Sequence, residues 1–87
     1  MNIVIVGLGV IGGSFAMCLK NSGFTNVYGI DTNKETLIKA KEQKLIIDGY
    51  TSGKDILGKA DLTILSIYPK YVKGFIEENK NYLLKMY

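Results

Sequence analysis

Gly7, Gly9 and Gly12, with Asp31 about 20 residues further on, are the residues of this 87-residue chain whose types and spacing could do chemistry. They follow the apolar run Ile3-Val4-Ile5-Val6 in the order Gly7-Leu8-Gly9-Val10-Ile11-Gly12, and Asp31 closes a second apolar run, Val27-Tyr28-Gly29-Ile30. The chemistry they suit is recognition of a dinucleotide. A glycine at 7 lets a strand turn tightly into a helix. One at 9 lets the backbone come close to a pyrophosphate, and one at 12 lets the helix lie near the sheet. The helix start then offers unpaired amides, those of Val10 and Ile11 among them, and a positive dipole end to the phosphates.

Asp31 at the tip of a strand suits the two ribose hydroxyls of an adenosine. A carboxylate there also repels a 2′-phosphate, and no arginine offsets it, so NAD is expected over NADP. Lys34 is close enough in sequence to weigh on the other side. Plainer readings exist for each residue: three glycines can form a structural turn, and Asp31 can cap a helix or sit solvated. The placement of the glycines between an apolar strand and a helical pattern favours the nucleotide.

Alternating elements must position these residues. A first strand near residues 2–6 is followed by a helix from about Val10 to Ser22, capped by Gly23, with Ile11, Phe15 and Leu19 toward the sheet. The second strand delivers Asp31. A capping box, Thr32-Asn33-Lys34-Glu35, opens a lysine-rich second helix whose thin apolar face is Leu37, Ala40 and marginally Ile38. Leu45-Ile46-Ile47-Asp48 is a candidate third strand, and residues 49–58 read as loop with at most one helical turn. Leu62 to Ile67 is the strongest later strand. Pro69 suits the first turn of a last helix with Val72, Phe75, Ile76 and Leu83 on one face.

This alternation predicts an α/β fold with right-handed crossovers: a partial doubly wound, Rossmann-like parallel sheet of four strands in order 3-2-1-4. The crevice for the nucleotide then opens at the carboxyl ends of strands 1 and 4. Ser66, Ile67, Tyr68 and Pro69 lie where the cofactor would pass. Ser14, early in the first helix, either bonds back to the helix backbone or assists the phosphate. A complete dinucleotide fold needs roughly 120 residues or more. Residues 1–87 are therefore expected to be the N-terminal part of a dinucleotide-binding domain, with strand 4 an edge although its sequence suits an interior strand.

Composition narrows the functions further. All 11 cations are lysines, and the net charge of +3 is dispersed, which reads as a solvated surface and not a nucleic-acid footprint. With no histidine, nothing titrates near neutrality unperturbed. The single cysteine, Cys18, can form neither an internal disulfide nor a metal cluster, and its neighbours Met17 and Leu19 suggest a buried thiol. No signal peptide or membrane span is evident, and a reducing cytoplasm fits. No catalytic residue and no metal ligand is assigned.

The stretches Gly7 to Ser14, Tyr28-Gly-Ile-Asp31-Thr-Asn, Ile47-Asp48 and Ala60-Asp61-Leu-Thr-Ile-Leu65 resemble the N-terminal domain of prephenate dehydrogenase. The resemblance covers nearly the whole chain, and the doubled glycine with Ser14 is its most specific element. Tyr68-Pro69 departs from the many members with proline directly after the strand. The resemblance implies oxidative decarboxylation of prephenate in tyrosine biosynthesis, with the C4 hydrogen leaving as hydride to NAD and 4-hydroxyphenylpyruvate formed. It also implies a catalytic histidine and an arginine-bearing pocket, neither of which residue type occurs here. A catalytic serine beyond Tyr87 and a helical C-terminal domain that forms a homodimer are implied as well. Only cofactor-binding roles carry over: Gly7, Gly9, Gly12, the amides of Val10 and Ile11, and Asp31. The expectation is the NAD-binding front part of such an enzyme, silent by itself. A freestanding NAD-binding regulatory module, or part of an arogenate or hydroxy-acid dehydrogenase, remain the alternatives.

Overall fold

Every residue of Ile3–Val6 is β-branched and apolar, which suits a strand covered on both faces, and in a computed structural model describing residues 1–83 this run is the inner strand β1. Residues 84–87 of the expected unit lie outside the described part. On one side β1 pairs in parallel with β2 (Val27–Ile30), and on the other with β4 (Leu62–Leu65). The short β3 (Asp48–Tyr50) pairs with β2, giving the expected order β3-β2-β1-β4. Val6 lies level with both Ile30 and Leu65, so three strands end together. Helices α1 (Val10–Asn21) and α2 (Lys34–Glu42) connect β1 to β2 and β2 to β3, two short 3-10 turns, Gly53–Asp55 and Leu57–Lys59, lead into β4, and helix α3 (Pro69–Asn79) follows it.

Strand alternation splits the core into two layers. Ile3 and Ile5 pack with Leu8, Ala16, Val27 and Leu37, whereas Val4 and Val6 pack with Ile30, Ile56 and Leu57. Each fully buried aliphatic side chain contributes about 1.5–3 kcal/mol relative to exposure. The fold is the partial doubly wound, Rossmann-like α/β sheet that the sequence predicts. Pro69 opens α3 as expected. Among the described residues no helix is long and apolar enough to cross a membrane.

Several local expectations are corrected. Helix α1 turns Gly12, Ala16 and Leu19 toward the sheet, while Ile11 is 75% exposed and Phe15 44%. Close backbone approach decides this: a Cβ at 12 would overlap the Gly7 carbonyl oxygen, so that side of the helix must be the inner one. Cys18 is consequently exposed, not buried, since it lies about 200° around the helix from buried Ala16.

Helix α2 starts on Asn33 and not on Thr32. The Asn33 side chain accepts from the amides of Glu35 (2.9 Å) and Thr36 (3.3 Å). Leu37 and Ala40 are buried, and Ile38 is exposed. The third strand begins at Asp48, where Leu45–Asp48 was expected. Lys44 takes a positive φ of 60°, and Leu45 and Ile46 are buried in the connection. The Ile47 amide then meets the Val27 carbonyl at 2.7 Å, and the ladder starts one residue later. Leu83 falls past the end of α3 yet packs, half-buried, on the layer around Val4 and Val6.

Candidate functional site

The turn from β1 into α1 is held from three directions. Gly7 has φ of +91°, a conformation L side chains rarely adopt, and its amide donates to the Ile30 carbonyl at 2.7 Å. A Cβ there would come within 2.7 Å of the Ser66 carbonyl oxygen. Gly12 closes the turn from the helix side, in the contact with the Gly7 carbonyl described above. From β2, the Asp31 Oδ2 accepts the Leu8 amide at 2.9 Å while its Oδ1 accepts the Asn33 amide at 2.9 Å. Each carboxylate oxygen keeps a lone pair for a further donor.

Gly9 is the N-cap of α1 and has no side chain to satisfy the helix start. The Gly13 amide donates to the Gly9 carbonyl at 2.8 Å, while among the described residues the amides of Val10, Ile11 and Gly12 meet no acceptor. Such a helix start is prepared for an anion. A Cβ on Gly9 would meet nothing within 4 Å, so protein packing does not require glycine there.

A crevice of about 710 Å³ opens beside this turn, at the carboxyl ends of the strands. Val6, Gly7, Ile30 and Asp31 line its base, and Ile67, Tyr71 and Phe75 one wall. It reaches further than the expected junction of strands 1 and 4, across the tip of β2 to Thr51, Ser52 and Gly53. Gly7 and Asp31 are thus brought together on it; Gly9, Val10, Ile11 and Gly12 belong to the adjoining helix start and not to its lining. The volume and the donor set fit a dinucleotide, with acceptorless amides for phosphates and a carboxylate for hydroxyls.

Of the site's residues, the sequence reading missed Asn79 altogether and the contacts of Ser66. Ser66 was placed near the cofactor path, but its hydroxyl lies against the Gly7 carbonyl oxygen at 2.6 Å and the Val6 carbonyl oxygen at 3.0 Å. Asn79, buried at the end of α3, lines the crevice and donates from Nδ2 to the Phe75 carbonyl at 3.0 Å. A serine ending an apolar strand beside a glycine turn is a usable signal; nothing near Asn79 in sequence marks it. Ser14 is exposed, and Tyr68 is 74% exposed and outside the lining.

The geometry agrees with the likeness to known proteins. The structure matches prephenate dehydrogenase from Aquifex aeolicus in complex with hydroxyphenyl propionate and NAD+, at 34% identity and a TM-score of 0.88 over 95% of this chain and 30% of that one. A second structure of the Aquifex aeolicus prephenate dehydrogenase matches at 34% identity and a TM-score of 0.87, over 94% of this chain and 30% of that one. Pyrroline-5-carboxylate reductase from Coxiella burnetii shares the fold, with 21% identity and a TM-score of 0.86 over 95% of this chain and 31% of that one. This chain spans about 30% of the length of the prephenate dehydrogenase structures it matches. No curated protein matches it significantly. The TrkA-N domain model matches residues 3–66, and the chain belongs to that family.

Proposed function

We propose that this chain binds NAD as the front part of an oxidoreductase resembling prephenate dehydrogenase. The observation that carries the reading is the acceptorless helix start at Val10 and Ile11, beside an open Gly9 and within one turn of a carboxylate already fixed on the Leu8 amide. Membership of the TrkA-N family and likeness to an enzyme solved with NAD+ support it. Gly7 and Gly12 shape the turn, Gly9 leaves room for the pyrophosphate, the Val10 and Ile11 amides hold phosphate oxygens, and Asp31 accepts the ribose hydroxyls. The bound nicotinamide supplies the hydride acceptor.

The reaction of the whole enzyme is proposed as prephenate oxidation with loss of carbon dioxide, giving 4-hydroxyphenylpyruvate for tyrosine biosynthesis in the cytoplasm. The 34% identity to a prephenate dehydrogenase holding a hydroxyphenyl acid supports that substrate class. A histidine for the substrate hydroxyl and an arginine for its carboxylates would come from a separate, dimer-forming domain, since these residues number zero among the 87. Titration of the chain with NAD and NADP tests the reading. NAD should bind and NADP bind at least about tenfold more weakly. Prephenate with NAD should yield no NADH from this chain alone. Equal affinities, or no NAD binding, would overturn the proposal.

A further inference from the structure

The geometry points to Ser66 as a positioning residue for the phosphate-binding turn: its hydroxyl, held on the Gly7 carbonyl, keeps the following amides aimed at the pyrophosphate. The inference rests on the NAD-binding reading and assigns a residue outside the glycine motif to it.

The turn has two carbonyls to dispose of where β1 ends. The Val6 carbonyl accepts the Ser66 amide at 2.8 Å as the last rung of the β1–β4 ladder. The Gly7 carbonyl points away from any ladder, because Gly7 has already left the strand at φ +91°. Among the described residues, its hydrogen-bond partner is the Ser66 hydroxyl at 2.6 Å. A half-buried carbonyl without a donor is costly, and it would regain one by rotating its peptide plane toward water. That plane is shared with the Leu8 amide, which Asp31 holds at 2.9 Å. The serine and the aspartate therefore grip opposite ends of one peptide unit, the Gly7–Leu8 link. Its orientation sets where Gly9 and the helix amides stand. Gly12 reinforces the arrangement, since a Cβ there would also come within 2.7 Å of the Ser66 Oγ.

A residue acting through the turn should affect ligands that carry a pyrophosphate and spare those that do not. ADP and adenosine separate the two cases. In Ser66→Ala the affinity for ADP should fall roughly tenfold with that for adenosine unchanged. Ser66→Thr, which keeps the hydroxyl, should retain the wild-type ratio of the two affinities. Unchanged ADP affinity in Ser66→Ala would overturn the inference. So would an equal loss for both ligands, or a Ser66→Thr variant that behaves like Ser66→Ala.

Amide hydrogen exchange gives a readout that needs no ligand. The Leu8 and Gly13 amides should exchange faster in Ser66→Ala while those of β2 keep their protection. Unaltered exchange at both would refute the role. If wild-type protein bound neither ADP nor NAD, the NAD reading would fall, and the exchange result would still judge Ser66.

Discussion

The Asp31 carboxylate accepts the Leu8 amide at 2.9 Å, which ties the tip of β2 to the glycine turn before any ligand is considered. A residue that sequence marks for ribose recognition is therefore also a brace for the turn proposed to hold the phosphates. Asp31→Ala should show both losses. Stability should drop by about 1–2 kcal/mol from the two amides left without an acceptor, measurable by urea unfolding. NAD affinity should fall roughly tenfold or more, and the gap between NAD and NADP should narrow as the repulsive charge goes. Asp31→Asn, which keeps one acceptor oxygen, should lie between. An unchanged ratio of NAD to NADP affinity in Asp31→Ala would contradict the assignment.

Gly9 and Gly12 look equivalent in sequence but have opposite physical roles. Around Gly9 a methyl group meets open space, so Gly9→Ala should change stability by less than about 0.5 kcal/mol. Its NAD affinity should nonetheless fall at least about tenfold, because the methyl group fills the space proposed for the pyrophosphate. Gly12→Ala puts the methyl group into the Gly7 carbonyl, which is backbone and cannot swing aside. It should lose about 3 kcal/mol or more. Thermal melts and NAD titrations of both variants separate the two. Comparable destabilisation in each would rule out this division of labour.

Elements were legible in the sequence where one local signal was enough. The β-branched run at residues 3–6, the apolar run before Asp31, and Pro69 each fixed an element and its place in the order β3-β2-β1-β4. The orientation of α1 was not legible from hydropathy, which favours Ile11 and Phe15. A backbone contact between Gly7 and Gly12, distant from any apolar pattern, overruled it. The glycines that revealed the site also held the correct answer about the helix face. The start of β3 was hidden for another reason: Leu45 and Ile46 are buried by packing and not by pairing.

In the site, the motif residues were legible because they share one stretch of chain. The contacts of Ser66 and the place of Asn79 were not, since these depend on carbonyls and loops about 60 and 25 residues away that only the folded sheet brings near. The exposed Val10 and Ile11 side chains, at 89% and 75%, illustrate the same limit. The role proposed for the two residues rests on their main-chain amides, and side-chain character says little about those.

Asp48 allows a prediction about pH. The Gly49 amide at 2.9 Å and the Lys41 ammonium at 3.3 Å both favour its ionised form, and they hold its carboxyl below the ordinary value of 3.8. A folded-state value below the unfolded one means stability that is fully present above 3.8 and lost as pH falls through the lowered folded value. Both side chains are about half exposed, at 48% and 58%, so solvent screening limits the contribution to a few tenths of a kcal/mol. Asp48→Asn should therefore unfold at slightly lower urea than wild type near pH 7, with the gap shrinking toward about pH 3. Added salt should remove the Lys41 share and leave the Gly49 share, because a short hydrogen bond to an adjoining amide is little affected by screening. A gap that stayed constant across the acid range would show that the carboxylate's charge contributes nothing to holding β3 beside α2.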